Sequence, residues 1–127
     1  MRYLLLALFG LVGIFARYGI NSLTVSVLGL DFPAATAAIN ILGSFLIGLT
    51  YVAGIERTLI GEDLRIALMS GLLGGFTTFS AFSLESVAFL DAGRHVLAAL
   101  YITGTVGGGI FAAIGGLYVG RLVLGGG

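Results

Sequence analysis

Polar side chains are rare in this chain, and one of the few that interrupts a long apolar stretch is an asparagine. Asn40 stands among alanines and isoleucines in an uncharged run from Pro33 to Ile55. Its carboxamide can both donate and accept hydrogen bonds. Because a polar group inside a membrane needs a partner, this side chain either holds two helices together or donates to a passing anion. The residue type alone leaves both interpretations open.

A second run combines phenylalanines with hydroxyl groups. Phe76, Phe79 and Phe82 recur every third residue and therefore share one face of a helix, with Ser80 and Ser83 interleaved. A phenylalanine stripe on a membrane helix usually packs in a core or faces lipid. Here the positive ring edges, together with the hydroxyls, could stabilise a partly dehydrated small anion. They would do so without a fixed positive charge, which would bind the anion too tightly to release it.

Two glycines and two threonines precede this stripe. Gly74 and Gly75, followed by Thr77 and Thr78, make a poor continuous helix, and we predict that the third helix breaks there. A break at membrane depth frees backbone carbonyls, which are tolerated only with a partner. A bound cation would be such a partner. An unbroken helix that uses the glycines for close packing is the simpler alternative.

Composition defines the environment of these residues. Of 127 residues, 58% are hydrophobic and only 9% are charged, whereas a soluble domain carries roughly 25% charged residues. This excludes a soluble enzyme, and no nucleophile–base pair is present. Six basic and six acidic residues leave no basic patch for a nucleic acid. We predict a multi-pass protein of the cell (inner) membrane. Its surroundings would be the lipid bilayer, and we expect it to bind no nucleic acid.

Four stretches are long enough to cross roughly 30 Å of hydrocarbon, which takes about 20 helical residues. Arg17 interrupts the first stretch and must snorkel or face a wet interior. Arg2 before the leucines resembles the start of a signal peptide, but no A-x-A cleavage site follows. We predict an all-α membrane protein with a single domain, residues 1–127. Its four transmembrane helices are expected at about 2–28, 33–55, 65–90 and 95–123.

Glycine is unusually frequent, with 22 residues, and several glycines lie four positions apart. Such small residues let helices approach closely in lipid, either within one bundle or between copies. Four thin helices enclose little volume, so we expect copies to associate. The two sides of the membrane are expected to hold four and two arginines, a bias weak enough to allow insertion in either orientation. The small-residue pairs are Gly71/Gly75, Gly104/Gly108, Gly116/Gly120 and Ser44/Gly48.

These residues together resemble the Fluc (CrcB) family of fluoride channels. In the first helix the resemblance rests on Gly10, Gly13, Ala16, Arg17 and Tyr18. In the second helix it rests on Pro33, Thr36, Asn40, Gly43, Phe45 and Gly48. The third helix carries the most specific motif, which is similar to G-x-x-G-G-x-T-T-F-S-T-F-S-x-E and runs from Gly71 to Glu85.

The resemblance implies a fluoride-selective channel that passively exports fluoride and so reduces its toxicity. It implies a dual-topology, antiparallel homodimer with two fluoride pores. In that family the ring edges corresponding to Phe79 and Phe82 line the path, and the asparagine corresponding to Asn40 donates to fluoride. Ser80 and Ser83 match hydroxyls along the same path.

The resemblance also implies a structural sodium ion and an aqueous vestibule. Carbonyls at the positions of Gly74 and Thr77, from both subunits, would hold the sodium ion at the helix break. Arg17 matches an arginine near the vestibule. Two departures affect the path: Ala81 stands where the family has a threonine, and Ile110 stands where a pore-lining serine is expected.

Those departures leave the fourth-helix side of the path open. Thr103 and Thr105 could supply hydroxyls there, depending on which face of the helix they occupy. The same departures from the family pattern are also compatible with a heterodimer with a paralogous chain in place of the homodimer.

Two other functions are compatible with four membrane helices. A small multidrug-type transporter would need a mid-membrane carboxylate that exchanges protons for cations. Glu85 stands toward the end of the third helix and Asp31 in a loop, so the sequence speaks against this function. A non-conducting membrane assembly subunit would use the glycine pairs and Asn40 for packing alone.

Overall fold

The computed structural model describes residues 1–29 and 33–125, and every regular element in these ranges is a helix. Four helices are long and apolar enough to cross a membrane, which confirms the predicted all-α membrane fold. Asp31, expected in a loop, lies outside the described residues. The helices are α1 (Arg2–Leu28), α2 (Ala34–Glu56), α3 (Glu62–Asp91) and α4 (His95–Leu124).

Local sequence explains where the helices end. Gly29 follows α1 with a φ of 57°, and Gly93 follows α3 with a φ of 73°. Glycine adopts this left-handed conformation without steric cost, so it commonly stops a helix. Glu62 and Asp63 occupy the first turn of α3, where negative charge is favourable because the amide end of a helix is electropositive.

Glycines bring the helices together in two tightly packed pairs. A Cβ built on Gly48 of α2 would lie 2.8 Å from the Leu117 nitrogen of α4, and one built on Gly116 would overlap the Phe45 carbonyl oxygen. In the other pair, a Cβ on Gly75 of α3 would lie 2.7 Å from the Gly10 carbonyl oxygen of α1. Helix backbones therefore touch, as packing in lipid favours.

Ion pairs fasten the helix ends where α1 and α3 begin and α2 and α4 end. Arg2 lies 2.7 Å from Asp63 and 3.2 Å from Glu62. Arg121 contacts both carboxylate oxygens of Glu56, at 2.6 and 3.0 Å. These pairs place the beginning of α1 and the end of α4 at the same end of the bundle, as an even number of crossings requires.

Candidate functional site

The third helix is interrupted midway, as the sequence predicted. The helix stops after Phe76, and the next two residues are extended. Thr77 has φ −82° and ψ 158°, and Thr78 has φ −149° and ψ 118°. The helix resumes at Phe79, where the Thr78 hydroxyl accepts a hydrogen bond from the Ala81 N–H at 3.3 Å. Threonine is a good residue for this capping position.

Asn40 fastens α2 to the break through two hydrogen bonds. Its Nδ2 donates to the Thr78 carbonyl oxygen at 2.9 Å, and its Oδ1 accepts from the Thr78 N–H at 2.8 Å. The carboxamide thus satisfies both backbone groups of one extended residue. An amide nitrogen carries two hydrogens, and the second makes no hydrogen bond within residues 1–29 and 33–125. Asn40 therefore does hold α2 and α3 together, and the second N–H of its Nδ2 is left without a partner in these ranges.

Two carbonyls at the break lose the donors that a continuous helix would give them. In a continuous helix the Thr78 N–H would donate to the Gly74 carbonyl, but here it donates to Asn40 Oδ1. The Ala81 N–H would point to the Thr77 carbonyl, but it donates to the Thr78 hydroxyl. Gly74 and Thr77 are the two positions that the sequence analysis associated with a sodium ion. Their oxygens are hard ligands of the type that Na⁺ prefers at broken membrane helices.

Arg17 reaches the same break from α1. Its Nε donates to the Gly75 carbonyl oxygen at 3.1 Å, and the side chain is half-buried. From the sequence, this arginine was expected to snorkel or to face a wet interior; the hydrogen bond places it beside the break in α3. A positive charge is favourable there because the preceding half of α3, residues 62–76, points its electronegative carbonyl end at the break.

A groove of about 450 Å³ opens beside the break, between α2, α3 and α4. Of the eight residues that the resemblance assigns to the fluoride path, the sodium ion and the vestibule, five line this groove, whereas Ser80, Ser83 and Arg17 do not. All of its described lining residues are uncharged. They are Asn40, Gly43, Ser44, Ile47, Met69, Leu73, Gly74, Thr77, Thr78, Phe79, Phe82, Thr105, Val106, Gly109, Ile110 and Ala113.

The two phenylalanines differ in how firmly they are held. Their ring centroids are 5.8 Å apart with an interplanar angle of 47°. Phe82 is 8% exposed and packs against Tyr101, with ring centroids 5.4 Å apart. Phe79 is 78% exposed. Of the two interleaved serines, Ser83 donates to the Phe79 carbonyl at 2.9 Å, and Ser80 lies 3.5 Å from the Thr78 hydroxyl.

The structure shows one carboxylate bonded by two hydroxyl groups, an arrangement that the sequence did not predict. Glu85 accepts hydrogen bonds from the Thr36 hydroxyl at 2.9 Å and from the Tyr101 hydroxyl at 2.6 Å. Both donors are almost fully buried. The available signal was a lone acidic residue one turn beyond Phe82, together with hydroxyl residues in otherwise apolar helices. Its donors come from two other helices, so the sequence did not identify them.

Comparisons with known proteins cover nearly the whole chain. Residues 4–117 match the family described as CrcB-like protein, Camphor Resistance (CrcB). A Thermus thermophilus protein named fluoride-specific ion channel FluC is 46% identical over 124 residues, covering 98% of each chain. A protein of the same name from Solidesulfovibrio magneticus is 46% identical over 121 residues, covering 93% of this chain and 94% of its own. The similarity therefore includes α1, α2 and α3 and most of α4.

Proposed function

This chain belongs to the CrcB-like protein family, and we propose on that premise that it is a fluoride channel which passively exports fluoride from the cytoplasm. The observation that carries the proposal is the groove beside the helix break. It joins Asn40, Phe79 and Phe82 in a chain whose relatives are named fluoride-specific ion channels. The protein is a multi-pass membrane protein and not an enzyme.

The direction of transport follows from the charge of the ion. Hydrogen fluoride enters a cell as a neutral molecule and dissociates near neutral pH, which leaves the anion trapped inside. A membrane potential that is negative inside drives an anion outward with about 2.3 kcal/mol per charge for each 100 mV. A selective pore therefore suffices, and no coupled energy source is needed.

The chemistry of the groove suits a small anion that must bind and leave. Phenyl edges are weakly electropositive and the second Asn40 N–H is an uncharged donor, so together they compensate part of the lost hydration. The described lining contains no Lys or Arg, so no fixed charge would trap the ion. Arg17 lies outside this lining, where its positive charge acts on the anion from a distance while its Nε bonds the Gly75 carbonyl.

We further propose that two copies pair in antiparallel orientation. Phe79 is 78% exposed on a single chain, and the groove lies at the surface, so a second copy would enclose the ring and complete the path. Because the chain has no cysteine, one can be introduced at Leu59, in the exposed α2–α3 loop. Dual topology predicts that an impermeant maleimide labels about half of Leu59→Cys from one membrane side. Labelling of all or none would refute it.

A sodium ion at the break is the third part of the proposal. The carbonyls of Gly74 and Thr77 are the ones whose helical donors are diverted, so they would hold the ion, with the equivalent pair from the second copy. The ion would neutralise the partial negative charge of these oxygens. If so, the thermal stability of the purified protein should rise with NaCl but not with N-methyl-glucamine chloride. Equal stability in both salts would argue against the site.

The decisive test of function is fluoride efflux from liposomes that contain only this chain. A potassium gradient with valinomycin supplies the potential, and a fluoride electrode records the release. Rapid release supports a homodimeric channel. No release favours the non-conducting subunit, unless a paralogous chain restores it, which would indicate the heterodimer.

The multidrug-type transporter is tested at Glu85. The Thr36 and Tyr101 hydroxyls already bond to this carboxylate. We therefore expect no proton-coupled drug efflux from the parent protein, and none from Glu85→Gln. Loss of such efflux in the variant would instead support the transporter.

A further inference from the structure

The two extended residues of the break in α3 are held by α2 in different ways. Thr78 is held by the two hydrogen bonds between its backbone and the Asn40 side chain. Thr77 is held by shape, because the next residue that α2 presents to the break is a glycine, Gly43. A Cβ built on Gly43 would overlap the methyl carbon Cγ2 of Thr77. The missing side chain of Gly43 therefore leaves a notch that receives this methyl group.

The other branch of the Thr77 side chain is fixed as well. Its hydroxyl donates to the Leu73 carbonyl oxygen at 2.9 Å, and its N–H donates to the same oxygen at 3.0 Å. A β-branched side chain has few allowed rotamers, and here both branches have a partner. The Thr77 carbonyl has lost its helical donor to the Thr78 hydroxyl. Its position therefore depends on a side chain that α2 and the first half of α3 hold together.

The fit at Gly43 depends on a single atom of Thr77. The next nearest atoms to a Cβ on Gly43 are Phe76 Cδ2 at 3.6 Å and Thr77 Cβ at 3.7 Å, both at ordinary contact distance. Gly43 is buried, so an added methyl group could not turn away from the contact. To restore a normal carbon–carbon separation, Thr77 would have to retreat by about 1 Å or more.

We propose that Gly43 is a positioning residue for the cation at the break, because its notch sets the place of the Thr77 carbonyl oxygen. This inference rests on the proposed function, namely on its sodium ion, and names the residue on which the geometry of that site depends. A metal site keeps its ligand distances within about 0.2 Å, which is less than the retreat of Thr77. Residues that orient a ligand without touching the metal typically change affinity about 10- to 100-fold when they are mutated.

The test moves one methyl group from α3 to α2. Gly43→Ala adds the conflicting methyl, and Gly43→Ala/Thr77→Ser also removes Cγ2 while it keeps the hydroxyl that bonds to Leu73. The readout is the NaCl concentration that gives half of the thermal stabilisation of the purified protein, with N-methyl-glucamine chloride keeping total salt constant. We expect Gly43→Ala to raise this concentration about tenfold or more, and the double variant to stay within about threefold of the parent.

Gly48→Ala is the matched control, because Gly48 is also a buried, tightly packed glycine of α2. A Cβ on Gly48 would lie 2.8 Å from the Leu117 nitrogen of α4, and its nearest contacts all belong to α4 rather than to the break. This variant should unfold at a lower temperature at every NaCl concentration, with an unchanged half-stabilising concentration. The control therefore separates a loss of packing from a loss of sodium binding.

The outcomes separate this inference from the function on which it rests. Absence of fluoride efflux from the parent would refute the channel function without altering the sodium titration, which decides the inference alone. If sodium does not stabilise the parent, the sodium site fails and the positioning role fails with it. If the parent responds and Gly43→Ala matches its half-stabilising concentration, the inference is overturned. It is also overturned if the double variant binds sodium as weakly as Gly43→Ala.

A folding failure of the single variant would not remove the test. Should Gly43→Ala not elute as the parent does in size-exclusion chromatography, the double variant decides. The inference then requires Gly43→Ala/Thr77→Ser to elute as the parent does and to respond to sodium as the parent does. Failure of either requirement overturns it.

Discussion

Replacing Asn40 with aspartate changes one of the two hydrogen bonds that join α2 to the break. In the parent, Asn40 Oδ1 accepts from the Thr78 N–H at 2.8 Å and Nδ2 donates to the Thr78 carbonyl at 2.9 Å. The aspartate would keep the first bond and lose the second. An unsatisfied buried acceptor costs about 1–3 kcal/mol. The carboxylate would also place negative charge beside the groove and repel an anion. We expect Asn40→Asp to be less stable by that amount and to conduct at least about tenfold more slowly.

Two assays separate packing from charge. Unfolding in detergent measures stability, and liposome efflux measures conduction. Asn40→Leu removes both hydrogen bonds without adding charge, so it should lose more stability than Asn40→Asp, roughly 2–6 kcal/mol. Asn21→Asp makes the same chemical change in α1, outside the groove lining, and should conduct normally. If Asn40→Asp conducts like the parent, Asn40 serves packing alone. Because Asn40→Leu also lacks the free N–H, it should conduct slowly as well, and efflux at the parent rate would show that the anion needs no donor from this position.

Two other substitutions test the ring edges and the helix contacts. Phe79→Ile and Phe82→Ile should each reduce fluoride efflux severalfold while assembly persists in size-exclusion chromatography, and normal efflux from both would refute the role of the ring edges. Gly116→Ala would press a methyl group onto the carbonyl of a neighbouring helix and should destabilise the protein by about 1–3 kcal/mol. Gly19→Ala meets nothing within 4 Å and should leave denaturation unchanged; equal effects would discredit the packing argument.

The features that the sequence predicted well are those set by neighbouring residues. Hydropathy alone locates four membrane helices because about 20 apolar residues span the hydrocarbon. The break in α3 is likewise local, since Gly74 and Gly75 weaken the helix and Thr78 can cap the next one. Neither prediction needs any knowledge of which helices touch.

The features that the sequence missed depend on contacts between distant residues. Glu85 is bonded by hydroxyls 49 and 16 positions away in the chain. For Arg17 the sequence left open whether the charge snorkels or faces a wet interior, and it did not identify a partner. The side chain reaches the Gly75 carbonyl, which is within range because Gly10 and Gly75 let the backbones of α1 and α3 touch. The pattern of small residues predicted close helix contacts but not which helices form them.

The break resolves two opposite requirements of an anion path in lipid. Carbonyl oxygens at a broken helix need donors or a cation, while the passing anion needs donors that nothing else occupies. Asn40 meets both requirements, because it satisfies Thr78 with one N–H and its oxygen and retains a second N–H. By taking the Thr78 N–H, it also deprives the Gly74 carbonyl of its helical donor. In the proposed channel, the same side chain would thus create the need for a cation and supply a donor for the anion.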